Sequence, residues 1–107
     1  MVQRYFCPVT ATSRLIAKKW HPVIIERLTN GPKRFNEIRV LIPRISAKVL
    51  SESLSDLETS GIVRRAVEPS RPVRIRYSLT ERGGDLEDVI ETMKAWGNRW
   101  LHPPAKL

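Results

Sequence analysis

Residues 44–61, RISAKVLSESLSDLETSG, constrain this chain more than any other stretch. Leu50, Leu54 and Leu57 recur at i, i+4 and i+7, which lays one apolar stripe along an α-helix. Ser46 is a good N-cap, and Gly61 supplies a C-terminal stop. On the side opposite the stripe stand Lys48, Ser51, Glu52, Ser55 and Thr59. The leucines must pin such a helix to a body. Its other face, made of short polar side chains, is either plain solvated surface or a face kept for a partner.

The flanking residues decide what body that is. In YFCPVTATSRLIAKKW, Thr10 is a candidate N-cap, Leu15 and Ile16 are apolar, and Trp20 lies near the end of the helix. HPVIIERLTNGP reads as a second helix with Pro22 in its first turn and Val23, Ile24, Ile25 and Leu28 as buried candidates. Asn30-Gly31-Pro32 ends it, with Gly31 free to take positive φ. KRFNEIRVLIP is a third, short helix with an inner stripe of Phe35, Ile38 and Leu41, ended by Pro43. After residue 61, IVRRAV and VRIRYSL are rich in β-branched residues. Ile75, Tyr77 and Leu79 alternate with Arg74, Arg76 and Ser78, the period of a strand with one wet face. EPSRP joins the two strands into a hairpin with a charged tip. Thr80 then caps a long helix with a broad apolar stripe of Leu86, Val89, Ile90, Met93, Trp96, Gly97 and Trp100, made irregular at its start by Gly83 and Gly84.

This order predicts a mainly α fold with a small β-hairpin (α+β): one winged helix-turn-helix domain over residues 1–107. The helix-turn-helix covers about 34–60, the wing about 62–79 and the C-terminal helix about 80–101. In this arrangement the second helix of the pair enters the DNA major groove by its N-terminal part, and a basic hairpin is the wing. The polar face of residues 44–61 then has a use, since small side chains let the helix approach base edges. Lys48 suits a phosphate or a guanine edge, Ser51 either kind of base, and Glu52 a cytosine amine or a pair with Lys48. Arg44 and the Ser46 end of the helix suit phosphate, and Arg71 and Arg74 suit the wing tip.

Charge agrees. The 107 residues carry a net charge of +8, and six arginines stand from Gly61 through Arg82. That excess points to a polyanionic partner, either nucleic acid or an anionic membrane surface. A single cysteine forms no intramolecular disulfide, and with two histidines it makes no Cys/His zinc site. There is no Ser/His/Asp pattern, phosphate-binding glycine loop or metal set, so no enzyme and no cofactor are expected. An RNA-binding domain would show exposed aromatics for stacking, whereas Trp20, Trp96 and Trp100 sit in apolar stripes. A winged-helix module for protein contact, without specific DNA binding, is the alternative, because Lys48 and Glu52 roughly cancel. No apolar run approaches a membrane span, and MVQRYFCPVT lacks the apolar stretch of a secretory signal. A cytoplasmic, nucleoid-associated protein is expected.

From about Cys7 to Trp100 the chain resembles the HxlR-type branch of bacterial winged helix-turn-helix regulators. The resemblance rests on Cys-Pro-Val, Lys-Trp before a Pro-led helix, Gly-Pro-Lys-Arg-Phe-Asn-Glu, Ile-Ser-x-Lys-x-Leu, Leu-Glu-x-x-Gly and Tyr-Ser-Leu-Thr-Glu-x-Gly. It implies a homodimer built from the first and last helices, with each protomer reading half of a near-palindromic operator. Leu15, Leu86, Val89, Ile90, Met93, Trp96 and Trp100 are the expected interface. It matches Ser46, Lys48 and Ser51 to the recognition helix and residues 68–74 to the wing. A repressor acting on double-stranded DNA is expected. Some relatives use a cysteine at the position of Cys7 to sense oxidants or electrophiles. Cys7 stands just before a helix with Arg4 nearby, and both would lower a thiol pKa; the alternative is a small buried residue at the dimer seam. The chain departs from the family pattern at Ala17-Lys18, at Val73 after Pro72 and at Arg76, where an acidic residue is common.

Overall fold

Pro8 has no N–H to donate and its φ is preset for a helix, so the first helical residue is its natural place. In the computed structural model, which describes residues 5–103, helix α1 (Pro8–Ile16) begins there. Cys7, not Thr10, is therefore the N-cap, and Thr10 falls on the third helical residue. Trp20 is not at the end of α1 but is the N-cap of α2 (His21–Leu28), where Pro22 occupies the first turn. Gly31 takes a φ of +126° after α2. Strand β1 (Lys33–Arg34) and helix α3 (Phe35–Leu41) follow. Leu41 is exposed, and Ile42 is buried in its stead. The residue before a proline is driven out of helical conformation; Ile42 accordingly leaves the helix at φ −124°, ψ 87° and joins the core.

Helix α4 (Ala47–Thr59) forms as its stripe demands. The Ser46 hydroxyl accepts the Val49 N–H at 3.0 Å, and Leu50, Leu54 and Leu57 are buried. Each such leucine stabilises the fold by roughly 1.5–3 kcal/mol. Strands β2 (Val63–Glu68) and β3 (Arg74–Leu79) make the hairpin. The sheet has three strands in the order β1-β3-β2, all antiparallel. The core gathers Ile24, Ile25 and Leu28 of α2, Ile38 and Ile42, the α4 leucines, Ile62, Val63 and Ile90.

The last helix is broken in two: α5 (Glu81–Gly84) and α6 (Glu87–Trp100). Thr80 caps only α5, accepting the Gly83 N–H at 3.0 Å. Its hydroxyl also donates to the Gly61 carbonyl at 2.5 Å, and its N–H donates to the Ile62 carbonyl at 3.0 Å. This knot ties the end of β3 to the turn after α4. Gly61 sits there at φ +75°.

Candidate nucleic-acid interface

Helix α3, the turn at residues 42–46 and α4 form the helix-turn-helix, and the β2–β3 hairpin follows after three residues. Within the turn, Arg44 adopts φ +74°. A non-glycine residue in this left-handed region costs of order 1 kcal/mol or more, and such strain persists only where the surroundings enforce it. Here buried Ile42 and Ile45 on either side fix the turn, and Arg44 is held outward into solvent.

On α4, Lys48, Ser51, Glu52 and Ser55 are all exposed. They follow one another at i, i+3, i+4 and i+7 and make one continuous polar face. Glu52 makes no ion pair with Lys48 among the described residues. The first turn of α4 carries no acidic residue, so nothing on the helix offsets the positive end of its dipole. Ser53, on the inner side, is buried. At the hairpin, Arg71 lies exposed in the loop and Arg74 exposed at the start of β3. Ser70 donates to the Pro72 carbonyl at 2.8 Å across this tip. Arg44, Ser46, Lys48, Ser51, Glu52, Arg71 and Arg74 are thus all exposed, on the α4 end and on the wing.

Sequence reasoning missed Lys33 and Arg34, which become the third strand. Two residues carry no periodicity, and only the basic pair after the Asn-Gly-Pro stop marks them. It also missed that Arg76 is engaged within the fold, with Nε 2.7 Å from Glu68 Oε1. The approach is too oblique for a hydrogen bond, so the contact is a charge pair.

Away from this side, α6 presents Val89, Met93, Trp96 and Trp100 to solvent at i, i+4, i+7 and i+11. Two residues expected beside them serve the chain's own core: Ile90 is buried in it, and half-buried Leu86 packs against it. Leu15 is half-buried on α1. Cys7 is partly exposed. The Thr10 hydroxyl, then the Thr10 backbone N–H, favours the thiolate and lowers the Cys7 pKa below the usual thiol range, against a smaller opposing effect of burial. Arg4 lies outside the described residues. Among the described residues no helix is long and apolar enough to cross a membrane.

A helix-turn-helix whose second helix shows an unobstructed polar face beside a basic hairpin defines the winged helix-turn-helix class. The chain belongs to the HxlR-like helix-turn-helix family, whose sequence profile matches residues 15–105. It is 39% identical to the uncharacterised HTH-type transcriptional regulator YvaP of Bacillus subtilis, over 96% of each chain. With the reduced form of the B. subtilis transcriptional regulator YodB it superposes at a TM-score of 0.80 and 42% identity, covering 94% of this chain and all of that one. YodB has also been solved in diamide-treated and quinone-bound forms. The redox regulator HypR in its oxidised form gives a TM-score of 0.85 at 39% identity, covering 91% of this chain and all of that one.

Proposed function

We propose that this protein is a sequence-specific DNA-binding transcriptional regulator that works as a homodimer on a near-palindromic operator. The observation that carries the reading is the α4 face: exposed, composed of short polar side chains, and held rigidly by three buried leucines beside a basic wing. Laid in the major groove, α4 brings Lys48 and Ser51 to base edges, and Glu52 accepts from a cytosine amine. Arg44 and the N-terminus of α4 take the flanking phosphates, while Arg71 and Arg74 reach the backbone or the minor groove. Repression follows from occlusion of the promoter.

The test is fluorescence anisotropy with the duplex upstream of the protein's own gene and a scrambled duplex, across a salt series. Tight preference for the upstream duplex is expected, with a steep salt slope. Ser51→Ala should reduce that preference about fivefold, the effect of losing one neutral hydrogen bond of about 1 kcal/mol. Weak binding equal for both duplexes sinks specific regulation at that site. Absence of binding at physiological salt turns the fold toward protein contact.

Cys7 adds a switch to this reading. Its thiolate adds to a quinone: a carbon–sulfur bond forms, and the ring takes up a proton to become a hydroquinone thioether. The N-cap of α1 then carries a bulky group against the expected dimer seam, and operator affinity falls. With its pKa lowered, Cys7 should hold its reactivity to a lower pH than free cysteine does. Release from DNA by benzoquinone should vanish in Cys7→Ser; an unchanged response in that variant removes Cys7 from the mechanism. Support comes from the thiol's position and from the quinone-bound form of YodB.

A further inference from the structure

The antiparallel register puts directly opposed residues on the same face of the sheet. Arg34 of β1 is opposite Arg76 of β3, Arg76 is opposite Ala66 of β2, and Arg64 and Glu68 of β2 are opposite Ser78 and Arg74. One face of the sheet therefore carries Arg34, Arg64, Arg74 and Arg76. The other carries Val63, Tyr77 and Leu79, which pack on the core, together with Lys33 and Arg65, which stand opposite Tyr77 on its two sides. Arg34, Arg64, Arg74 and Arg76 thus form a basic face turned away from the core.

Like charges directly opposite in a sheet are destabilising, yet Arg34 and Arg76 are so placed. Glu68 is the one carboxylate among these strand positions, and it takes Arg76. The nearby Glu37 is turned to the Arg34 backbone, accepting its N–H at 2.8 Å. Arg34, Arg64 and Arg74 make no ion pair among the described residues. The fold leaves this cluster short of negative charge. It is also continuous with the wing, since Arg34, Asn36, Pro72, Val73 and Arg74 line one groove between the hairpin and the start of α3, with Glu37 as the single carboxylate in it.

We propose that Arg34, Arg64 and Arg76 form a second phosphate-binding surface for duplex DNA, continuous with the wing and separate from the α4 contact. The proposal rests on the DNA-binding reading above. Arg74 joins the two surfaces, so the polyanion that meets the wing also runs along the sheet. Three strands span about 10 Å, and one DNA strand presents a phosphate every ~3.4 Å of axis, so about three phosphates face the three arginines. Such contacts strengthen binding to every sequence alike. Glu68 restrains the surface by holding Arg76.

The test compares salt slopes on the upstream and scrambled duplexes for the wild type, the triple variant Arg34→Gln/Arg64→Gln/Arg76→Gln, Glu68→Gln, and Glu91→Gln on α6 as a charge control. The triple variant should flatten the slope by about two, at ~0.9 for each phosphate contact, because Glu68 already holds Arg76 back in the wild type. Its preference for the upstream duplex should not change. Glu68→Gln should steepen the slope by about one and tighten binding to both duplexes, while Glu91→Gln does neither. A folded triple variant with the wild-type slope overturns the proposal. If the triple variant does not fold, an unchanged slope in Glu68→Gln overturns it instead. Wild-type slopes on DNA combined with lost binding of polyglutamate in the triple variant would reassign the face to an acidic protein, also overturning it. A wild type that prefers neither duplex fails the regulator reading alone, because the slopes on the scrambled duplex still decide this one.

Discussion

Gly83→Ala should cost about 3 kcal/mol of stability, the upper part of the usual range for overpacking. A Cβ on Gly83 would meet the Ile62 carbonyl oxygen at 2.1 Å. Real Cβ atoms do not come so close, so backbone must move. Neither side can yield cheaply. The Ile62 carbonyl accepts the Thr80 N–H at 3.0 Å, and the Ile62 side chain is buried in the core. Gly83 donates its own N–H to Thr80 Oγ1 at 3.0 Å, which fixes α5 against the end of β3. Pushing α5 away opens this knot and drags the start of α6, with Ile90, from the core. Each kcal/mol lowers the melting temperature of a domain near this size by roughly 4–8 °C, so a drop of about 15 °C is expected in a thermal melt at fixed protein concentration. Gly84→Ala is the control: nothing lies within 4 Å of its added Cβ, and it should melt close to the wild type. Equal melting of the two variants would show that α5 shifts freely and that the contact is not a constraint.

The same knot marks where the sequence stops being readable. Gly83 and Gly84 signal an irregular start to the last helix, but the close approach of Gly83 to Ile62, some 20 residues earlier in the chain, is a tertiary contact that no local pattern encodes. Helix α4 was legible in full because its cap, stripe and stop are all local. The hairpin was legible because period two persists over a whole strand. Strand β1 was not, since it exists only by pairing with Arg76 and Tyr77. The exchange of Leu41 for Ile42 was encoded in Pro43 and follows from that proline's effect on the residue before it. The choice of Cys7 over Thr10 as cap was encoded in Pro8 in the same way. In the candidate site, the identities of the exposed residues on α4 and the wing were readable. Their mutual state was not: the left-handed Arg44, the absent Lys48–Glu52 pair and the Glu68–Arg76 pair all depend on turn geometry and register.

Trp96→Glu should separate the protomers while leaving each one folded. Trp96 is 58% exposed and Trp100 59%, aligned on α6 with Val89 and Met93. None of the four belongs to the core cluster or packs against it. Contiguous apolar surface of this kind, with two tryptophans, is what a partner chain covers. In a two-fold interface each residue occurs twice. Losing a buried tryptophan contact costs about 2 kcal/mol or more at such a site, so the pair costs about 4 kcal/mol and weakens the dimer by roughly a thousandfold. Sedimentation should find a dimer for the wild type and a monomer for the variant at micromolar concentration. Because two linked half-site readers gain from effective concentration, the variant should lose operator affinity steeply yet bind an isolated half-site as the wild type does. A variant that sediments as a dimer would move the interface off this face of α6. Lost half-site binding in a folded variant would instead show that α6 supports the reading head directly.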